Sequence, residues 1–260
     1  MKLAAIYNVF DGEELLEKSI KQIRSHCEGI IAVVQRISNL GYQYEGGLRT
    51  CLLLQSKGLI DTIAEYKPDL SASAIQNELT KRQLSVDLSK QGGFTHFILI
   101  DCDEFYHSDQ FERCKQVVEE NGWIATVSPI QSYFKTPTLT IGLDSYFVPF
   151  IHQLGPETCL HNEHYPYKVD PTRSVRLPEG STVFGFVPDD LTMHHYTWVR
   201  QDIFRKVNNS SCRDYIFNRS GLLEDYLSAT AGYHISHFGK TLMPCEDHFG
   251  LNMQLSMKAQ

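Results

Sequence analysis

At 260 residues, 42% of them hydrophobic and 21% charged, the chain has the make-up of a soluble globular protein, and no apolar run approaches the roughly 20 residues of a membrane span. A formal net charge of −7 offers no global attraction to nucleic acid and leaves only a local basic patch for such a partner. Seven cysteines, an odd number with no CxxC pair, argue against a disulfide framework or a structural zinc site and suit a reducing cytoplasm, the expected location.

The opening apolar segment is too short for a secretory signal, with Asp11 close behind it. Residues 3–9 predict a first strand, Phe10-Asp11-Gly12 a turn, and residues 13–27 a helix with Leu15, Leu16, Ile20 and Ile23 at helical spacing. Gly29 stops that helix, and residues 30–34 form a second buried strand. A strand–helix–strand unit of this length implies a right-handed crossover and a parallel sheet. Asn8 and Asp11 then sit at the carboxyl end of the first strand, where a nucleotide would lie; Asp11 serves equally well as a turn former.

Residues 35–47 read as a loop, 48–66 as a second helix ended by Pro68, and 73–90 as a third. The third carries Glu78, Lys81 and Arg82. Lys81 or Arg82 could meet a diphosphate, although charges on a helix ordinarily line a solvated face. The apolar run Phe97, Ile98, Leu99, Ile100 follows Gly92-Gly93 and predicts a central strand buried on both faces. Residues 108–120 predict a helix closed by Asn121-Gly122, and 123–127 a further strand. The pattern is that of an α/β doubly wound sheet. Residues 130–154 are rich in aromatics and β-branched residues and read as strands and loops over the ligand-binding edge. The segment 162–185 is polar and turn-rich, the kind of stretch that is more often functional than idle. Residues 202–207 and 222–231 predict two more helices.

The central strand ends in Asp101, Cys102, Asp103 and Glu104. In open α/β sheets the carboxyl ends of the strands are where ligands bind. Three crowded carboxylates repel unless a cation neutralises them, and Asp101 and Asp103, alternating in an extended chain, can face one site. A hard divalent ion holding a substrate phosphate is the natural occupant. The alternative is an acidic turn capping the next helix, with Ser108 or Asp109 as N-cap.

"YNVFDGEELLEKSI", "GIIAVV" and above all "FILIDCDEFY" resemble the nucleotide-sugar glycosyltransferases of the GT-A fold, in particular family 2 and relatives carrying an aspartate-x-aspartate-glutamate strand end. The likeness covers roughly the first 130 residues. It implies a GT-A-like, Rossmann-like α/β fold with a mainly parallel central sheet flanked by helices. The whole chain, 1–260, would be one compact domain, with 1–130 as the nucleotide-sugar half and 131–260 as the acceptor half with a helical C-terminal part. It further implies a metal-dependent, inverting hexosyltransferase using Mn2+ or Mg2+ and a nucleoside-diphosphate sugar, most naturally a UDP-sugar. By resemblance Asp103 is the main metal ligand, Asp101 lies beside the ribose or the metal, and Glu104 supports them. "MHHYTWVR" resembles the family's late histidine element and nominates His194 or His195 as a further ligand, the other being a packed core histidine. Imidazole suits manganese as well as magnesium. Arg200, Arg205 and Lys206 would neutralise the leaving diphosphate, with Arg82 and Lys135 as further phosphate contacts.

Asp189 and Asp190, in "FVPDDLTMHH", precede the histidine element as the family's base often does, and Glu163 competes with them. The chain departs from the family in lacking a clear ED followed by QxxRW, which leaves the base and the stereochemistry open. Without the transmembrane tail of polymerising synthases, a single transfer to a soluble acceptor is expected. The acceptor is open between a modified base in phage DNA, which would put the protein in a host cytoplasm, and a glycan or protein hydroxyl. Lys168, Arg173 and Arg176 would be the phosphate contacts of a DNA track. Competing readings are a metal-dependent nucleotidyltransferase or nucleotide-sugar phosphohydrolase using the same aspartates, and a non-catalytic metal- or sugar-binding module. The acidic "NVFDGEE" counts against the first and the missing EF-hand spacing against a calcium form of the second. Cys102 is a poor nucleophile, since its acidic neighbours disfavour the thiolate.

Overall fold

The computed structural model describes residues 1–160, 165–210 and 219–253. In chain order the first half is β1 (Leu3–Val9), α1 (Glu13–Ile23), β2 (Gly29–Gln35), α2 (Gly46–Ser56), β3 (Thr62–Tyr66), α3 (Ala74–Gln91), β4 (His96–Asp101), β5 (Glu104–Phe105) and α4 (Ser108–Asn121). The second half is β6 (Ala125–Phe134), β7 (Leu139–Gln153), β8 (Phe184–Gly185), β9 (Met193–Trp198), α5 (Ile203–Asn209), α6 (Arg219–Ser228), β10 (His234–Ile235), β11 (Lys240–Thr241) and β12 (Met243–Pro244). The architecture is a mixed α/β fold with a central, mainly parallel sheet flanked by helices.

The main sheet runs β3-β2-β1-β4-β7-β6-β9-β5. β3, β2, β1 and β4 are mutually parallel; β7 runs antiparallel to both β4 and β6, while β9 returns parallel to β6. The apolar runs explain the parallel half, because period-2 geometry sends alternate residues to opposite faces and both are covered. Tyr7, Ala32 and Ile98 join one core, while Ile6, Val33 and Leu99 join the other, against which Leu79, Leu84 and Leu88 of α3 pack. A smaller C-terminal core gathers Phe134, Leu222, Tyr226 and Ile235.

The chain leaves β1 for β2 and β3 on one side and then returns for β4 on the other. That makes the β1/β4 junction a topological switch point, where a crevice opens outside the carboxyl ends of the strands. Asn8 and Asp101 are register partners across it.

Three expectations are corrected. Residues 48–66 are not one helix: α2 ends at Ser56, Gly58 takes a φ of 71°, and Thr62 pairs with Ile31 of β2. The β-branched and aromatic residues Thr62, Ile63 and Tyr66 suit the open sheet edge, and pairing there overrides helix propensity. The strand foreseen at 123–127 starts at Ala125 and runs through Pro129 to Phe134, forming a long hairpin with β7. The N-cap of α4 is His107 rather than Ser108 or Asp109. No helix among the described residues is long and apolar enough to cross a membrane.

Candidate active site

A cavity of about 330 Å³ lies at the β1/β4 switch point, its walls including Asn8, Asp11, Lys81, Asp101, Asp103, Asp170, His195, Arg200 and Lys206. Each side chain is carried there by an element whose end reaches the crevice. β1 brings Asn8, β4 ends on Asp101, the turn into β5 carries Asp103, and β9 presents His195, which pairs in register with Glu104.

The acid cluster is neutralised largely by buried guanidinium groups. Asp101 Oδ2 accepts from Arg173 at 2.6 Å and from Arg82 at 3.0 Å. Glu104 accepts from Arg173 through both oxygens, at 2.9 and 2.5 Å, and Glu104 Oε2 also takes the Asp101 backbone N–H at 3.0 Å. Burial would push the Asp101 carboxyl up, but Arg173 and then Arg82 hold it well below the usual carboxylate range. For Glu104 burial wins over Arg173, and the Asp101 charge adds to the upward shift. Both guanidinium partners take Asp101 Oδ2, and the side chain still lines the cavity, 29% exposed. Arg82, foreseen as a phosphate contact or part of a solvated face, is 1% exposed, bonded to Glu78 and Asp101. Lys81 is buried as well: Nζ donates to Val9 O and Gln35 Oε1, each at 3.0 Å, and burial lowers its pKa to about 8. Both residues are drawn inward because α3 packs across the parallel half of the sheet.

Asp103 is held differently. Its Oδ2 accepts from Arg200 and lies 3.8 Å from Lys206 Nζ, while its Oδ1 faces His195 Nε2 at 3.8 Å. Burial opposes ionisation, yet Arg200, Lys206 and His195 together keep the carboxyl at about 2. Arg200 itself lies against Gly12. That residue has a φ of +85°, the left-handed region that favours glycine, and a Cβ there would meet the guanidinium of Arg200. Asn8 leaves both Oδ1 and Nδ2 buried without a partner, an arrangement that invites a ligand's donor and acceptor.

The two histidines separate by strand alternation. His195 faces the cavity. His194 points to the other side, 6% exposed, its Nδ1 2.6 Å from Tyr133 Oη and its ring against His107, His248 and Phe249. Burial, with His107 and His248 adding to it, lowers its pKa to about 3. His194 is therefore the packed member of the pair, and its nomination as a ligand is withdrawn.

Other expected residues are not brought together. Asp189 and Asp190 lie exposed in a turn, where Asp190 O accepts a long contact from Cys114 Sγ of α4 at 3.6 Å, and neither lines the cavity. Lys135 Nζ donates to Leu227 O and Ala229 O at 2.7 and 3.0 Å, tying the β6–β7 turn to the end of α6. Glu163 lies outside the described residues. Arg205 stacks 4.1 Å over Tyr44 and reaches Glu13 at 3.5 Å. Arg173, foreseen on a DNA phosphate, is 3% exposed and consumed by Asp101 and Glu104.

Sequence reasoning missed Asp170. Its Oδ1 accepts from the backbone N–H of Thr172 at 2.9 Å and from the Thr172 hydroxyl at 2.8 Å, capping the 3-10 turn Pro171–Arg173. Its Oδ2 stays 3.8 Å from both Arg82 and Arg173, beyond hydrogen-bond range, and the residue lines the cavity. The only local signal is the Asp-Pro-Thr spacing of a capped turn.

Among the described residues no group of three or more His, Cys, Asp or Glu comes together as a metal site. A hard cation that keeps waters and takes substrate phosphate oxygens needs only one or two protein ligands. Asp103 Oδ1 and His195 Nε2 fit such an ion as a pair.

No protein-family model matches the chain, and no curated protein does. Among solved structures it is similar to S. aureus TarS, at 10% identity over 88% of this chain and 46% of that one, with a TM-score of 0.40. A structure of GalNAc-T7 with UDP, GalNAc and Mn2+ matches at 10% identity over 80% of this chain and 48% of that one, TM-score 0.45. A CMP:2-keto-3-deoxy-manno-octonic acid synthetase complexed with CTP matches at 10% identity over 60% and 72%, TM-score 0.35. The chain spans between 35% and 46% of the TarS chains it matches. Likeness at these identities and scores fixes no activity.

Proposed function

We propose that this chain is a glycosyltransferase that moves a hexose from a nucleoside-diphosphate sugar, a UDP-sugar first among them, to an acceptor hydroxyl. One observation carries the reading. At the switch point of the sheet, a single cavity gathers an unpartnered Asn8 amide, the Asp103–His195 pair and the cations Arg200 and Lys206. That combination suits a ligand with a polar nucleoside at one end and a diphosphate at the other.

The roles follow from charge. Asn8 meets the nucleoside with its free donor and acceptor. Lys206, part-exposed and 3.8 Å from Asp103, is the cation that meets negative charge growing on the departing diphosphate, while the buried Arg200 holds Asp103 in place. A divalent cation, Mn2+ or Mg2+, held by Asp103 and His195 would supply further compensation for that charge. Asp170, whose Oδ2 makes no hydrogen bond and lies 3.8 Å from Arg82 and Arg173, takes the acceptor's proton. The acceptor oxygen forms a bond to the anomeric carbon as the bond from that carbon to the diphosphate oxygen breaks. The electron pair leaves on the nucleoside diphosphate and the hydroxyl proton goes to Asp170. A direct displacement of this kind inverts the anomeric centre.

The test is a thermal-shift screen of UDP-, GDP-, CDP- and dTDP-sugars with Mn2+ or Mg2+, since a ligand that binds only the native state raises its apparent stability. A rise in melting temperature with one nucleotide sugar, followed by release of the nucleoside diphosphate on turnover, is expected. No rise with any of them would overturn the reading. Release of a nucleoside monophosphate and a sugar phosphate would reassign the chain as a phosphohydrolase.

A further inference from the structure

The cavity has a neighbour. A second cavity of about 220 Å³ shares Asp101, Asp170 and His195 with the first and is otherwise walled by β6, β7 and β9, among them Asp144, Tyr146, Pro149 and Met193. A break in the β6–β7 register shapes it. Pro129 pairs with Phe147, but Gln131 pairs with Leu143, so three β7 residues, Asp144, Ser145 and Tyr146, are extruded where two ladder steps would hold one. Bulges of this kind re-aim side chains beside sites. Here the bulge presents a carboxylate and an aromatic ring, with Tyr146 40% exposed and Lys168 Nζ 4.1 Å from its centroid.

We propose that this second cavity is the acceptor subsite and that it takes one ring of an uncharged carbohydrate. The inference rests on the transferase reading above, because it is the shared wall that would bring an acceptor hydroxyl to Asp170 and to the donor's anomeric carbon. The lining chemistry selects the class. The C–H face of a sugar ring packs on an aromatic surface, and its hydroxyls donate to carboxylate oxygens. Asp144 Oδ1 is oriented by the backbone N–H of Tyr146 at 3.3 Å, leaving Oδ2 for such a hydroxyl.

Charge favours a neutral carbohydrate over a nucleic acid here. Asp101, Glu104 and Asp170 share the guanidinium groups of Arg82 and Arg173, three carboxylates on two cations, and Asp144 adds a further negative charge at this cavity. Phosphate recognition needs free cations; Arg173 in the lining is spent on carboxylates, and Lys168 at the rim lies over the Tyr146 ring.

The experiment is saturation-transfer NMR on the UDP-saturated full chain with maltotriose, cellotriose and N-acetylated chitotriose. A short DNA duplex is the comparison, and Tyr146→Ala and Asp144→Asn are the variants. Both positions are exposed, so the fold is kept. At least one trisaccharide should show transfer, falling about fivefold or more in each variant, with the affinity for UDP changed less than about twofold. Transfer to none of the three, transfer unchanged in both variants, or duplex binding that the variants abolish would each overturn the acceptor assignment while UDP binding stands. Failure of the parent protein to bind UDP or any other nucleoside diphosphate would remove the transferase reading, and this inference with it.

Discussion

Asp103 Oδ1 and His195 Nε2 face each other at 3.8 Å, although they come from different halves of the chain. The antiparallel pairing of β5 with β9 brings them together: Glu104 stands opposite His195, Phe105 opposite His194, and the Asp103 carbonyl accepts the Tyr196 N–H at 2.8 Å. A one-residue slip in that register would exchange the two imidazoles and put the buried one in the cavity.

The two histidines therefore have opposite signatures. His195→Ala should weaken Mn2+-supported UDP binding by about tenfold or more and leave the urea midpoint almost unmoved. His194→Ala should cost about 2 kcal/mol or more of stability, through a lost buried ring and a lost hydrogen bond to Tyr133, with UDP affinity retained. Isothermal titration and urea unfolding of both variants separate the roles, and identical behaviour at the two positions would remove the assignment.

Arg173 is the keystone of the carboxylate network. Arg173→Met leaves Glu104 and Asp101 short of a buried cation, and breaking such a pair from one side costs roughly 3–5 kcal/mol. Urea unfolding should register a loss of that order. A loss below about 1 kcal/mol would show that the network does not hold as described.

Gly12→Ala should be disproportionately harmful for so small a change. The backbone has φ +85°, where left-handed strain costs on the order of 1–3 kcal/mol, and the added Cβ meets the Arg200 guanidinium, which must move. If Arg200 is pushed off Asp103, nucleotide binding should weaken as well. Calorimetry showing native melting temperature and native UDP affinity would contradict this account.

Stability should fall in acid through the buried histidines. Burial takes His152 to about 3, and burial with two neighbouring imidazoles takes His194 to about 3. Between about pH 6.5 and pH 3 the unfolded chain binds these protons and the native state does not, so stability declines as pH falls across that window, by about 3 kcal/mol per histidine down to pH 4. Asp103 has the depressed-carboxylate sign: its contribution is whole above about pH 4 and is lost as pH drops through about 2. Urea titrations at pH 7, 5.5 and 4 test this, and His194→Phe should flatten the slope by roughly one histidine's share; a curve flat from pH 7 to pH 4 in the parent would refute it.

Much of the frame was legible locally. The apolar runs at residues 3–9, 30–34 and 97–100 announce strands covered on both faces, the helical spacing of Leu15, Leu16, Ile20 and Ile23 announces α1, and an acidic tip on a buried strand marks the ligand end. These signals are short-range, set by backbone period and side-chain polarity, and a linear chain carries them intact. What the tertiary structure alone decided is partnership. Asp101 meets Arg173 across 72 positions and Asp103 meets Arg200 across 97. Such pairs depend on which strand ends share a crevice, and residue type does not encode that. For the same reason Arg82 turned inward and Asp170 emerged at the shared wall, because burial and exposure of a charge depend on what the fold packs beside it.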